Sequence, residues 1–189
     1  MAVSLDAQDY LDLVEANKSI CFFDIEATGL RGDYNSILCV SVLPYNGKPT
    51  TFRTTTIGND RRVVREAKEY LSTFDCWVGY YSKGFDKPML NTRALRWGDE
   101  PLPARHHIDL FFTLKSHTVM SRKSMAQFAG LLELHDQKMG VSPNVWTEVL
   151  GNPRGKAMNQ MVARCESDCE VLKQLYDKTR HIIKEIKRG

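Results

Sequence analysis

The chain has 189 residues, 42% of them hydrophobic and 26% charged, and a formal net charge of +3 from 26 Lys and Arg against 23 Asp and Glu. This describes one globular domain that buries a core without staples, and it excludes a tandem array, a disulfide miniprotein and a low-complexity chain. No run approaches the roughly 18 apolar residues of a membrane span. Met1 to Leu13 is acidic and amphipathic rather than a basic leader, so a cytoplasmic or other reducing intracellular setting without secretion is expected. Cys21, Cys39, Cys76, Cys165 and Cys169 form an odd set, three of them in apolar runs, which reads as buried thiols. Cys165 and Cys169 are spaced as a zinc pair could be, but no second Cys/His pair stands at finger-like spacing.

In chain order, Leu5 to Ala16 carries helical apolar spacing with Ser4 available as N-cap, and predicts a short accessory helix. Ser19 to Ile25 is apolar on both alternating faces, as in a strand covered on two sides. A second strand is predicted over Ile37 to Leu43, and Asn46-Gly47 turns the chain into a third over Thr50 to Thr56. Val63, Val64, Ala67, Tyr70 and Leu71 mark a helix, and Cys76 to Tyr80 the next strand. A helix from Lys87 to Trp97, a short strand near His107 to Leu110, and helices over Phe111 to Lys115 and Ser124 to Leu134 follow. His135 to Asn144 reads as irregular, and one long helix from about Lys156 to Ile186 ends the pattern. Hairpin-linked strands followed by alternating helices and strands predict an α/β domain with a mixed sheet covered by helices.

Asp24 and Glu26, two apart on a strand, point to one face with Cα atoms about 6.6 Å apart. With Phe22, Phe23 and Ile25 around them they face desolvation and mutual repulsion unless a cation neutralises them; a solvated strand end is the alternative. Asp168 falls in the apolar stripe of the last helix, between Cys165 and Leu172, and needs a partner, an arginine if not a metal. Asp86, in Gly84-Phe85-Asp86-Lys87-Pro88, suits a helix N-cap taken by itself. Together, hard oxygen donors from distant segments are what Mg²⁺ or Mn²⁺ requires, and a two-metal clamp can drive an in-line phosphoryl displacement.

Phe23-Asp24-Ile25-Glu26-Ala27-Thr28-Gly29-Leu30 resembles the first motif of the DEDD (DnaQ-like) superfamily of 3′–5′ exonucleases. Gly79 to Pro88 resembles the second motif and Arg164 to Glu170 the third, while His107 to Leu110 and Ser124 to Ala129 resemble connecting segments of the polymerase-type and stand-alone members. The resemblance runs from about Ser19 to Tyr176 and implies a ribonuclease H-like fold with a mixed five-stranded sheet. It implies a single exonuclease domain over 1–189, with 1–17 an accessory helix and 18–189 the core.

Carried over residue by residue, it implies that Asp24, Glu26 and Asp168 hold one divalent ion, Mg²⁺ or Mn²⁺, and that Asp24 and Asp86 serve a second. Thr28 and Leu30 would lie beside the terminal nucleotide, with Lys83, Phe85 and Arg164 as further substrate contacts. The implied substrate is a nucleic acid 3′ end, single-stranded, and the products nucleoside 5′-monophosphates.

Two positions depart from the family. Arg164 stands where a Tyr is usual, with Ala163 where others have His, so the protein base expected to act on the attacking water is missing; Tyr81 stands where many members have Asn. Arg164 is left with two readings, a phosphate contact or a structural helix residue paired with Asp168 one turn on. The alternative function is a catalytically weak nucleic-acid-binding or interaction subunit. Lys83, Lys87, Arg93, Lys115, Arg122, Lys123 and Lys138 are candidate backbone contacts, Trp146 suits core packing better than base stacking, and the basic residues from Lys173 on suit a helix C-terminus better than a phosphate backbone.

Overall fold

A computed structural model of the protein, describing residues 6–136 and 139–188, sets β1 (Ile20–Ala27) in the middle of a mixed sheet. On one side β2 (Ile37–Pro44) runs antiparallel to it and pairs outward with β3 (Thr50–Arg53). On the other side β4 (Cys76–Gly79) runs parallel to β1, and β5 (His106–Asp109) parallel to β4. These are the five expected strands of the α/β fold, in the order β3-β2-β1-β4-β5. A two-residue strand, β6 (Lys187–Arg188), adds antiparallel to the outer edge of β5.

β1 is apolar on both faces because both are covered. Cys21, Phe23 and Ile25 point to one side and pack with Trp77 and the inner stripes of α2 (Arg61–Leu71) and α3 (Asp86–Arg96). Ile20 and Phe22 point to the other, where α1 (Ala7–Ala16), α4 (Leu110–His117), α5 (Met125–Leu131) and the long α7 (Lys156–Thr179) bring Leu11, Leu114, Phe128 and Tyr176. Burying a large apolar side chain stabilises by about 1.5–3 kcal/mol, so Phe22 and Trp77, fully buried on opposite faces, anchor both layers. Asp24 and Glu26 continue the row of Ile20 and Phe22, and that alternation aims them at α7.

The chain ends differently from the helical pattern. α7 stops at Thr179, and a 3₁₀ turn over Arg180–Ile182 buries Ile183 in the core, with Ile186 only partly buried against it. The stop has tertiary causes. The Gln8 amide donates to the carbonyls of Arg180 and Ile183, each at 3.0 Å, and the Arg180 guanidinium reaches Asp12 at 2.6 Å and Glu15 at 3.3 Å. The basic residues beyond Thr179 therefore do not line a helix C-terminus. A helix also forms at α6 (Pro143–Gly151), begun by Ser142 and Pro143, where the irregular loop was expected to run to Asn144. It packs Val145 and Val149 on α7 and β2, with Trp146 partly buried in the same cluster. α1 takes Asp6 as its N-cap, accepting the Asp9 N–H at 2.8 Å; Ser4, Leu5 and Lys138 lie outside the described residues.

Arg93 is no surface cation. Asp60, 0% exposed, accepts Nε and Nη2 of Arg93 at 2.8 Å each, Trp97 Nε1 at 2.8 Å and the Ile37 N–H at 2.8 Å. One carboxylate thus ties the start of β2, the N-terminus of α2 and the inner face of α3.

His107, 1% exposed, is bonded through Nε2 to the Ser82 hydroxyl at 2.8 Å, and burial, reinforced by Lys83 and Lys87, pushes its pKa down from 6.5 to about 3. The unfolded chain takes up a proton at His107 as pH falls through 6.5 while the native state does so only near 3. His107 therefore contributes stability above pH 6.5 that is lost progressively as pH falls toward 3. Urea titrations of His107→Gln should show an acid limb shallower by on the order of 3 kcal/mol between those pH values. Parallel limbs in the two proteins would contradict a neutral buried imidazole.

Candidate metal centre

β1 and α7 meet over two short spacings. On β1, Asp24 and Glu26 stand on the α7 side; on α7, Asp168 shares the inward stripe of Cys165, Cys169 and Leu172. One carboxylate oxygen from each of Asp24, Glu26 and Asp168 lies within 4.8 Å of the other two, with Glu26 and Asp168 buried and Asp24 half-buried. Three acids this close repel one another in a poorly solvated place, and hard oxygen donors of this kind fit a hard divalent ion such as Mg²⁺ or Mn²⁺. The sulfur beside them does not suit zinc. Cys165 Sγ donates to the Asp24 carbonyl at 3.3 Å, and burial pushes the thiols of both Cys165 and Cys169 well up, keeping them neutral.

Arg164 lies one turn before Asp168, but its guanidinium pairs across to β1, Nε to Glu26 Oε1 at 2.5 Å. The ion-pair partner offered by helical spacing was Asp168, and the structure shows Glu26. Glu26 takes the close contact because Asp168 points inward along the buried stripe, while the Asp168 charge still acts on Arg164.

Asp86 stands apart from the three. β4 leaves β1 after Phe22 pairs with Val78, and the Ile25 N–H beyond that point donates to Asp86 Oδ1 at 3.2 Å. Burial pushes the Asp86 carboxyl up to about 7, with Asp109 and Glu26 adding to the rise and its backbone hydrogen bonds opposing it. Asp86 and Asp24 line one cavity of about 450 Å³, together with Leu30, Tyr80, Tyr81 and Phe85.

A family model of the RNase_H superfamily, RNase_H_2, matches residues 21–180, from β1 to the end of α7. The chain belongs to the RNase H superfamily. No curated protein sequence matches it. Among solved structures, the family B DNA polymerase from the hyperthermophilic archaeon Pyrobaculum calidifontis is similar, with TM-score 0.70 and 21% identity over 84% of this chain and 24% of the polymerase chain. At that identity the likeness shows the fold.

Within this RNase H-like domain, the turn after β1 is closed by its own side chains. Ser36 donates its N–H to the Thr28 hydroxyl at 3.0 Å, the Thr28 hydroxyl donates to Asn35 Oδ1 at 3.3 Å, and a Cβ on Gly29 would lie 2.5 Å from that oxygen. Thr28 is therefore a turn-former, and Leu30, 83% exposed, is the residue the turn holds out over the cavity. Lys83 is exposed, Lys87 half-buried, and Lys115, Arg122 and Lys123 remain at the surface to varying degrees.

Sequence reasoning passed over Asp109. Its carboxylate accepts the N–H groups of Tyr81 and Lys83 at 2.8 Å each and of Phe111 at 3.1 Å, and so shapes the loop that carries Asp86. A strand-ending Asp directly before a helical run is an N-cap signal, and it could have flagged this residue.

Proposed function

We propose that this RNase H superfamily member is a metal-dependent 3′–5′ exonuclease that hydrolyses phosphodiester bonds at nucleic-acid 3′ ends and releases nucleoside 5′-monophosphates. The convergence of Asp24, Glu26 and Asp168 from β1 and α7 carries the reading. A divalent ion bound there lowers the pKa of an attacking water and offsets charge on the phosphate. In this proposal Asp24, Glu26 and Asp168 hold one ion, and Asp24 and Asp86 face a second across the shared cavity. The buried carboxyl of Asp86, raised to about 7 by burial, would hold a second ion as its carboxylate. Leu30 and Phe85 border the same cavity, and in this reading they would lie beside the terminal nucleotide. Arg164 keeps its charge at any working pH and cannot accept a proton from water, so it acts as a counter-ion and phosphate contact.

That same contact favours a second reading. With Arg164 already on Glu26, part of the negative potential that draws a cation is neutralised, as in a nucleic-acid-binding subunit that keeps the fold without hydrolysis.

Matched linear DNA and RNA single strands incubated with Mg²⁺ or Mn²⁺ test both. The exonuclease reading expects 5′-mononucleotides, no reaction in EDTA, and an intact closed single-stranded circle. Nicking of the circle would make the protein an endonuclease, and binding without hydrolysis under every divalent metal would establish the second reading.

A further inference from the structure

Beside the carboxylate cavity lies a pair of half-exposed aromatic rings that the reading above leaves without a task. Tyr81, 47% exposed, holds a left-handed backbone with φ 59°, where a bulky side chain is strained and Asn or Gly is at ease. Three features keep it there. Its N–H is held by Asp109, its ring lies over Gly84, where a Cβ would come 2.6 Å from Cζ, and it meets Phe111 at 5.0 Å between ring centroids. Phe112, 44% exposed, continues the surface, with its ring 5.8 Å from Tyr81 and tilted by 36°.

The two rings join two cavities. Tyr81 lines the one that holds Asp24 and Asp86. Phe112 lines a second, of about 490 Å³, whose walls include Lys83, His117 and Lys184. Asp109 and Glu185 also border it, so its charge is mixed, with the Asp109 carboxylate turned to three backbone N–H groups. Lys115 adds a further cation, with Nζ 5.8 Å from the centre of the Phe111 ring. Flat aromatic faces followed by cations suit a chain of bases joined by phosphates.

We propose that Tyr81 and Phe112 form a stacking track for single-stranded nucleic acid, which carries the nucleotides preceding the 3′ end from the carboxylate cavity toward the one bordered by Lys83 and Lys184. This rests on the exonuclease reading for which end enters first. It adds a strand-length preference that the metal centre alone does not supply, and it gives the strained backbone at Tyr81 a use.

Fluorescence anisotropy with phosphorothioate-linked oligonucleotides tests the track, comparing a dinucleotide with an octanucleotide. The native protein should hold the octamer at least about a hundredfold more tightly, since each stacked base contributes about tenfold. Phe112→Ala should remove about tenfold of that ratio, and Lys184→Ala should lower the dependence of octamer affinity on salt. Tyr81→Asn fits the left-handed backbone, so it should also lose about tenfold of the ratio while its thermal midpoint holds; a structural role alone would move the midpoint and spare the ratio. The track is overturned if the octamer gains nothing over the dinucleotide, or if Phe112→Ala and Tyr81→Asn keep the native ratio. If those variants lose the ratio but the native protein hydrolyses no phosphodiester octamer with Mn²⁺, the track stands and the exonuclease reading fails.

Discussion

Asp24→Asn should lower Mn²⁺-dependent release of mononucleotides by about a thousandfold, because loss of several kcal/mol of charge stabilisation at the reacting phosphate costs about a factor of ten for every 1.4 kcal/mol. The substitution is nearly isosteric and leaves the Asp24 carbonyl in place for Cys165. It also removes one of three clustered carboxylate charges while keeping an oxygen that can accept from the Cys165 thiol, so the metal-free variant should melt close to the native protein. Activity and stability are thereby separated: a folding defect would lower both. Gel assays of strand shortening alongside thermal melts read the two quantities, and a variant keeping more than a tenth of the native rate would remove Asp24 from the reaction.

Arg93→Met should cost about 3–5 kcal/mol of stability in urea, the penalty for leaving a buried carboxylate without its cation. Asp60 would keep Trp97 and the Ile37 N–H as partners but no positive charge. For a chain of this size the loss corresponds to roughly 10 °C in the melting midpoint. A second substitution, Asp60→Leu, should restore part of the loss, since an apolar pair can replace a buried ion pair at small cost. A loss below about 1 kcal/mol in Arg93→Met would show that the guanidinium is not needed to neutralise Asp60.

What the sequence made legible was whatever a short period controls. Alternation on β1 placed Asp24 and Glu26 on one face, and helical spacing placed Asp168 on the inward stripe of α7; two local rules sufficed to aim three acids at one another. Contacts between distant segments were out of reach. Arg93 read as a candidate phosphate contact because nothing near it in the chain shows that Asp60 waits 33 residues earlier. Arg164 is the same case, its partner Glu26 lying 138 residues away rather than one helical turn on. The end of α7 failed differently. Ile182 and Ile186 kept the helical rhythm, but Gln8 and the acids of α1 bind the chain at Arg180, and tertiary contacts override a weak local preference. Tyr81 stood out in the sequence as an unusual residue for its motif, and the backbone supplies the reason: the position is left-handed, which Asn adopts readily and Tyr only under strain.

The account stands or falls on whether those three carboxylates bind a cation. Anomalous scattering from crystals of the protein soaked in Mn²⁺ measures this directly. The expected result is a manganese peak bounded by Asp24, Glu26 and Asp168, with the Arg164 guanidinium displaced from Glu26. Crystals that show no peak among these residues at a Mn²⁺ concentration supporting hydrolysis in solution would contradict it.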